Sequence, residues 1–213
     1  MPNDAKSQGG SNRLSKDNAA VLMVDHQTGL FQLVRDYIPV TEYKNNVLAL
    51  SEIALQYKLP TILTTSAESG PNGPLLPEIR AKFPNAPFIP RPGEVNAWDN
   101  KEFVKAVKDT GRKKLIIAGI VTDVCVAFPV ISALTEGFEV YVIVDASGTF
   151  NTAARDAALN RMQAAGAILI SWFALACELQ RDWRDHGEVL AALLKEHLPE
   201  YANLATSHSA ASK

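Results

Sequence analysis

Short apolar runs alternate with longer amphipathic segments along most of the chain. The apolar runs are rich in β-branched residues and bounded by polar ones, which is typical of buried strands in a parallel sheet. The longer segments repeat apolar residues every three or four positions, which predicts helices. The predicted strands are residues 19–24, 61–65, 88–89, 115–118, 139–144 and 167–170, and the predicted helices are residues 43–57, 76–82, 101–109, 127–136, 152–165, 172–180 and 188–197. This alternation predicts an α/β fold with a mostly parallel sheet.

The composition is that of a globular protein and excludes some classes of partner. Of the 213 residues, 47% are hydrophobic and 21% are charged, and the formal net charge is −2. So small a charge gives no electrostatic reason to bind nucleic acid or an anionic membrane. No apolar stretch approaches the ~20 residues that span a bilayer. Two cysteines, Cys125 and Cys177, are too few for a disulfide framework and favour a reducing, cytoplasmic compartment.

Residues 15–203 are predicted to form one domain. Residues 1–14 lack an apolar core and are rich in Ser, Gly, Asn and Asp, so we expect a flexible N-terminal arm and no secretory signal. Residues 204–213 are rich in serine, and we expect a flexible C-terminal tail there. The amphipathic helix at residues 188–197 offers a surface for packing on another subunit.

The stretch at residues 113–126, KKLIIAGIVTDVCV, places a cysteine where a buried strand passes into a helix. Thr122 and Asp123 are predicted to cap that helix. Ligand sites of open α/β sheets lie at such strand ends, and the unpaired N–H groups of a helix start lower the pKa of a cysteine. Cys125 is therefore a candidate nucleophile. The alternative is an inert core cysteine, since buried cysteines are common.

Two other strand ends carry residues that suit an activated cysteine. Asp25 follows the first predicted strand, and Arg91 follows the third, inside a segment at residues 66–92 that holds seven of the twelve prolines. An aspartate accepts the proton of a thiol, and a fixed cation stabilises negative charge. Backbone N–H groups at the start of the Cys125 helix complete an oxyanion hole in this scheme. Spacing alone does not select these residues from the other aspartates and arginines.

At this point the chain resembles a known family. The DHQ that follows the first strand (residues 25–27) and the AGIVTDVCV at residues 118–126 are similar to motifs of the isochorismatase-like cysteine hydrolases. The segments PTILTTS, RPGEVNAWDN and DASGTFN resemble the YcaC-like branch of that family. The resemblance runs from about residue 19 to residue 183. It implies a doubly wound, three-layer α/β/α fold with six parallel strands.

The resemblance also implies a catalytic triad and an oxyanion hole. It places the triad's Asp at Asp25 and its Cys at Cys125, and it places Arg91 where most of the family has a lysine. It further implies a cis peptide bond between Ile120 and Val121, with the N–H groups of Val121 and Cys125 facing the substrate oxygen. Because arginine stays charged, Arg91 holds negative charge but does not carry protons, so proton transfer is expected to rest on Asp25. A structural role for Arg91 in its loop is the alternative.

No metal or cofactor is expected. Zinc-binding members of the family use an Asp and two His just after the second strand, but residues 64–68 here read TTSAE. His26 is expected to face into packing. Substrate-pocket candidates are Gln27, Phe31, Trp98, Phe128 and Phe150, although aromatic residues at such spacings more often belong to the core.

The resulting hypothesis is a cysteine hydrolase that cleaves a small amide-like C–N bond. Its partners are expected to be a small-molecule substrate and further copies of itself, as a homo-octamer, which is the assembly typical of the branch. Two alternatives stay open: a thiol redox sensor or scaffold on the same fold, and a vinyl-ether hydrolase of the isochorismatase type, against which Cys125 argues. A nucleotide-binding module is disfavoured because no glycine-rich phosphate motif follows a strand. The identity of the substrate depends on pocket shape and does not follow from the sequence.

Overall fold

A six-stranded sheet forms the centre of the protein, flanked by helices on both faces. The structure is a computed structural model and describes residues 13–211. The strands are β1 (Ala19–Val24), β2 (Thr61–Ser66), β3 (Phe88–Arg91), β4 (Lys114–Gly119), β5 (Glu139–Ile143) and β6 (Ile168–Ile170). The helices are α1 (Val40–Gln56), α2 (Pro77–Lys82), α3 (Lys101–Asp109), α4 (Ala127–Thr135), α5 (Thr152–Ala164), α6 (Trp172–Gln180), α7 (Gly187–His197) and α8 (Pro199–Ala211).

All neighbouring strands are parallel, in the order β3-β2-β1-β4-β5-β6. This arrangement confirms the predicted doubly wound α/β fold with six parallel strands. The strand order reverses between β1 and β4, and in open α/β sheets the crevice at that reversal, at the carboxyl ends of the strands, is where ligands bind. The three candidate residues lie at this edge, because Asp25 follows β1, Arg91 ends β3 and Cys125 follows β4.

The two faces of the sheet pack against two separate hydrophobic clusters. Alternate residues of β1 point to opposite faces, as the pleat of a strand requires. Val21 and Met23 join one cluster with α1, α6 and α7, and Ala20 and Leu22 join the other with α3, α4 and α5. The central strands β1 and β4 are buried at every residue and are nearly continuous apolar runs, which is why the sequence identified them readily.

Asparagine and glycine residues fix several helix ends. Asn100 and Asn151 accept a hydrogen bond from the backbone N–H three residues ahead, at the starts of α3 and α5. Gly137 follows α4 with φ of 86°, a left-handed conformation that glycine adopts without strain. Within residues 13–211, none of the helices combines the length and the apolar character needed to cross a membrane.

The two ends of the described chain differ from the predictions. Residues 1–12 of the predicted arm lie outside the described residues, but Leu14 is fully buried. Its backbone N–H donates to Glu178 and its carbonyl accepts from Arg181, so the arm does not extend to residue 14. The predicted tail is also wrong in its described part. Residues 204–211 continue α8, a helix rich in alanine, which has a high helix propensity, and no α8 residue is buried.

The apolar stripe of α7 packs inside its own chain. Leu190, Leu193 and Leu194 are buried in the cluster that covers α1 and α6. The expectation that this stripe packs on another subunit is therefore wrong. An amphipathic pattern predicts that a face is covered but does not say by which chain.

Candidate active site

The Asp25 carboxylate is held at the end of β1 by a buried arginine. Asp25 has φ of 56°, in the left-handed region, and is fully buried. Both of its carboxylate oxygens accept hydrogen bonds from Nη2 of Arg91, at 2.5 and 2.6 Å. Arg91 itself is only 1% exposed. A charge this far from water is stable only when it is paired and hydrogen-bonded, so the two residues depend on each other.

Each guanidinium nitrogen of Arg91 donates to an acceptor within the chain. Nε donates to Oγ1 of Thr64 at 3.1 Å, and Nη1 donates to the carbonyl oxygens of Glu94 and Val95. Nη2 is occupied by Asp25. The sequence predicted that Arg91 stabilises the negative charge of a thiolate or an oxyanion. In the structure all three of its guanidinium nitrogens already donate within the chain, and two of these hydrogen bonds hold Asp25.

Cys125 lies in a π-helical turn, Thr122–Val126, that joins β4 to α4. In a regular α-helix the Val121 carbonyl would accept from the Cys125 N–H, four residues ahead. Here that carbonyl accepts from the N–H groups of Val124 and Val126, at 3.3 and 3.2 Å. The wider turn therefore takes the Cys125 N–H out of the α-helical pattern. Such turns are frequent at functional sites.

The predicted caps of this helix are not formed. The N-cap position is Val121, with no side-chain hydrogen bond, so the prediction that Thr122 or Asp123 caps the helix is wrong. Within residues 13–211 the buried Thr122 hydroxyl has no partner, and Asp123 instead accepts a hydrogen bond from Thr149 at 2.8 Å. The sequence pattern assumes an α-helical first turn, whereas the turn here is π-helical. Asp123 thus connects the turn that contains Cys125 to the segment that follows β5.

The thiol of Cys125, which is partly exposed, is hydrogen-bonded to the carboxylate of the fully buried Asp25. Burial raises the pKa of the Cys125 thiol from 9.0 to about 12, and the negative charge of Asp25 adds to this. The Val121 N–H, which bonds the sulfur, and the charge of Arg91 oppose the rise. The expectation of a lowered cysteine pKa is therefore wrong for the unliganded protein. The resting group is a neutral thiol whose proton lies on a hydrogen bond to a carboxylate.

Burial also raises the pKa of Asp25, while the charge and hydrogen bonds of Arg91 lower it again. A carboxylate with a raised pKa is a stronger base, and its two hydrogen bonds to Arg91 favour the ionised form. Asp25 and Cys125 thus differ in their preferred protonation state. Asp25 carries the charge, and Cys125 carries the proton.

The turn that holds the sulfur also carries the two backbone N–H groups that the sequence assigned to an oxyanion hole. The Val121 N–H bonds the sulfur, and the Cys125 N–H lies outside the α-helical pattern. The Ile120–Val121 peptide bond is cis. The carbonyl of Gly148 accepts from Thr122 N–H at 3.0 Å, so the segment after β5 supports this turn.

Three of the five pocket candidates have other roles. Gln27 is fully buried, and its side chain bonds Ser66 and Gly73, where it clamps the loop after β2. Phe31 is buried in the α1-side cluster, against Tyr43.

Trp98 is also displaced from the site. Its indole N–H donates to Glu136 at 2.8 Å, just beyond the end of α4. Cys125 precedes the start of that helix, so the two residues lie at opposite ends of it. Phe128, half-buried in the first turn of α4, packs under the guanidinium of Arg161, and Phe150 is 46% exposed after β5.

The histidine beside Asp25 faces into the protein. His26 is fully buried, and its Nε2 hydrogen-bonds the Ala146 carbonyl at 3.1 Å. Burial lowers the pKa of His26 to about 4, so it is neutral at physiological pH. Among the residues that the structure describes, no cluster of three or more His, Cys, Asp or Glu side chains is placed to hold a metal ion.

Thr64 is the functional residue that the sequence did not reveal. It contacts both the backbone of Asp25 and the side chain of Arg91. The signal available in the sequence was a pair of threonines, at residues 64–65, directly after the apolar Ile62 and Leu63 of the same strand. That signal does not say which of the two hydroxyls has a partner.

Comparisons with known proteins agree with this arrangement. The family model described as "Isochorismatase domain" matches residues 19–173. The Escherichia coli protein named "Probable hydrolase YcaC" is 60% identical over 201 residues, which cover 94% of this chain and 96% of that protein. Its crystal structure, described as an octameric hydrolase of unknown specificity, superimposes with a TM-score of 0.92 at 61% identity and covers 94% of this chain and 98% of that one.

A second solved structure is equally similar. YcaC from Pseudomonas aeruginosa, described with hexane-2,5-diol and covalent acrylamide, has a TM-score of 0.91 at 64% identity and covers 94% of this chain and 98% of that chain. A family match over most of the chain, together with relatives this similar over nearly their whole length, identifies the protein. The chain belongs to the isochorismatase family of hydrolases.

Proposed function

We propose that this hydrolase cleaves a small amide-like C–N bond through a covalent intermediate on Cys125. The observation that carries the proposal is the hydrogen bond between the Cys125 thiol and a buried Asp25 carboxylate, which is itself paired with Arg91. A nucleophile, a base within hydrogen-bond reach and a group that orients the base are the elements of covalent acyl transfer.

In the first half of the reaction the sulfur attacks the substrate carbonyl while Asp25 accepts the thiol proton. The negative charge that develops on the carbonyl oxygen is received by the N–H groups of Val121 and Cys125. When the C–N bond breaks, the leaving nitrogen takes the proton from Asp25 and departs as an amine or ammonia. A thioester to Cys125 remains.

In the second half, Asp25 accepts a proton from a water molecule as that water attacks the thioester. The thiolate that is released recovers the proton from Asp25, and the product leaves as a carboxylic acid. Asp25 therefore ends the cycle ionised and the thiol ends it protonated, as they began. Arg91 does not exchange a proton at any step, because arginine stays charged.

Cys125→Ser tests the covalent step, with Cys177→Ser as the matched control. Cys177 is half-buried, and its burial raises its pKa, but it lies on α6, away from Asp25 and Arg91. On a panel of small primary amides we expect Cys125→Ser to lose turnover and Cys177→Ser to retain it. Full turnover by Cys125→Ser would refute the mechanism. Reversible oxidation of Cys125 by peroxide, with no amide turned over, would favour the redox alternative.

We further propose that the chain self-associates as a homo-octamer. The octameric E. coli relative supports this, and so does α8, which has no buried residue and carries Leu204 at 63% exposure. Trp183, which lies between α6 and α7 and is 51% exposed, stacks on Tyr201 of α8. Sedimentation velocity tests the assembly: wild type is expected at eight times the monomer mass, and Leu204→Glu at a smaller mass. An octamer unchanged by Leu204→Glu would exclude α8 from the interface.

A cytoplasmic location is part of the same proposal. Its support is the pair of free cysteines, Cys125 and Cys177, which suits a reducing compartment. Subcellular fractionation with an antibody against the chain tests it.

A further inference from the structure

Thr64, near the end of β2, makes three hydrogen bonds that converge on the candidate site. Its backbone carbonyl accepts from the Asp25 N–H at 2.9 Å. Its hydroxyl donates to the Ile89 carbonyl at 2.7 Å and accepts from Nε of Arg91 at 3.1 Å. Thr64 is fully buried, so no water is available to replace these bonds.

The direction of the hydroxyl is fixed by its partners. A hydroxyl has one proton to donate, and the Ile89 carbonyl is only an acceptor, so the proton lies on that bond. A lone pair of Thr64 is thereby left for Nε of Arg91. The hydroxyl thus joins the Ile89 carbonyl of β3 to the guanidinium.

We propose that Thr64 is a positioning residue that holds Arg91 in register with both oxygens of Asp25, and so sets the pH at which Asp25 works as a base. This inference rests on the proposed function of Asp25. Thr64 does not touch the sulfur or the substrate. It acts through Arg91, whose Nε would otherwise be a buried donor without a partner.

The charges around Asp25 give the sign of the effect. The ionisable groups that face Asp25 are Arg91 and Cys125, and only Arg91 is charged at neutral pH. His26, next in the chain, is neutral there, and the Glu94 carboxylate bonds Gly93 and Asn100. If Arg91 turns away, the carboxylate loses its cation and its pKa rises. Asp25 then becomes protonated at a higher pH.

The neighbouring residue supplies a matched control. Thr65 is also fully buried in β2, but its hydroxyl has no hydrogen-bond partner among residues 13–211. Thr64→Val and Thr65→Val make the same change of shape and chemistry one position apart. Only the first removes bonds to the site. Thr64→Ser keeps the hydroxyl and is the conservative rescue.

The experiment measures the rate of iodoacetamide alkylation of Cys125 against pH, followed by peptide mass spectrometry so that Cys177 is counted separately. In wild type we expect the rate to fall at acid pH as Asp25 becomes protonated. In Thr64→Val we expect this fall to move to higher pH by about one unit. Thr64→Ser and Thr65→Val are expected to keep the wild-type position.

Each outcome separates the inference from the proposed function. Suppose that Thr64→Val has a wild-type circular dichroism spectrum and that its alkylation rate falls at the same acid pH as in wild type. That result would overturn the role of Thr64 alone. If the alkylation rate of the wild type does not fall at acid pH, Asp25 is not the base. If Thr64→Val does not fold, Thr64→Ala removes the same hydroxyl with a smaller side chain and is read in the same way. An equal shift in Thr65→Val would show a general effect on β2 and would also overturn the inference.

Discussion

Replacing Asp25 by Asn should have opposite effects on the ionisation of the Cys125 thiol and on the activity of the enzyme. The substitution preserves the shape of the side chain but removes its charge. In the structure Asp25 opposes ionisation of Cys125, because a second negative charge beside the carboxylate is unfavourable. In the proposed mechanism it is also the group that accepts the proton during attack. One change should therefore make the thiolate easier to form and the enzyme inactive.

The size of the first effect follows from the surroundings of the sulfur. Burial is the largest cause of the raised thiol pKa of about 12, and Asp25 is the second. In Asp25→Asn, burial remains, and the charge of Arg91 is no longer neutralised. An opposite charge at this range lowers a pKa by about 1–3 units, so we expect the pKa of Cys125 to fall to about 9–11.

Thiolate absorbance at 240 nm, titrated against pH with Cys125→Ser as the blank, measures this pKa directly. In the same variant we expect turnover to be lost, because turnover needs the Asp25 carboxylate. We expect the part of the alkylation rate that does not change with pH to be lost for the same reason. A folded Asp25→Asn protein whose thiol pKa stays near 12 or rises would refute the reasoning. Unpairing Arg91 also destabilises the fold, by at most the ~3–5 kcal/mol of a broken buried pair, and urea unfolding measures that cost.

Three further predictions concern the scaffold. His26, with its pKa lowered from 6.5 to about 4, stays neutral while the unfolded chain takes up a proton, so stability should fall by about 3 kcal/mol from pH 7 to pH 4. Urea unfolding of His26→Gln should show a flatter pH dependence, and an equal slope would contradict this assignment. Gly119→Ala would place a methyl 2.2 Å from a β1 carbonyl oxygen, whereas Gly93→Ala meets nothing within 4 Å. We expect only the Gly119 variant to lower the melting temperature, by an overpacking cost of about 1–3 kcal/mol or more, and equal melting would refute it. Trp98→Phe loses the bond to Glu136 and should cost about 1 kcal/mol in urea unfolding, yet leave Cys125 alkylation unchanged; slower alkylation would place Trp98 at the site.

The strands and most helices followed from the sequence because their signals are local. A parallel strand buried on both faces is a continuous apolar run, and a cap such as Asn100 acts within three residues. The end of the chain was harder. The exposed helix α8 has no strong amphipathic pattern, and its serines suggested a tail. What covers a helix is a property of distant residues or other chains, which is also why the partner of α7 was misjudged.

The site shows the same limit at closer range. Family motifs identified Asp25, Arg91 and Cys125, and the structure brings them together. The protonation state of Cys125 could not be inferred, because it depends on burial and on the Asp25 charge rather than on the helix start. The role of Thr64 was equally hidden, since a hydroxyl in a strand has no local signature of its partner.

The pairing at the centre of the site has a consequence for how ligands arrive. The Asp25 and Arg91 charges cancel at short range, and the protonated thiol of Cys125 adds none. The trio therefore projects almost no field into the solvent, and long-range steering of a charged molecule toward it is weak. Ionic strength should then have little influence on the rate at which small ligands enter. Selection among them then falls to shape and to short-range polar contacts.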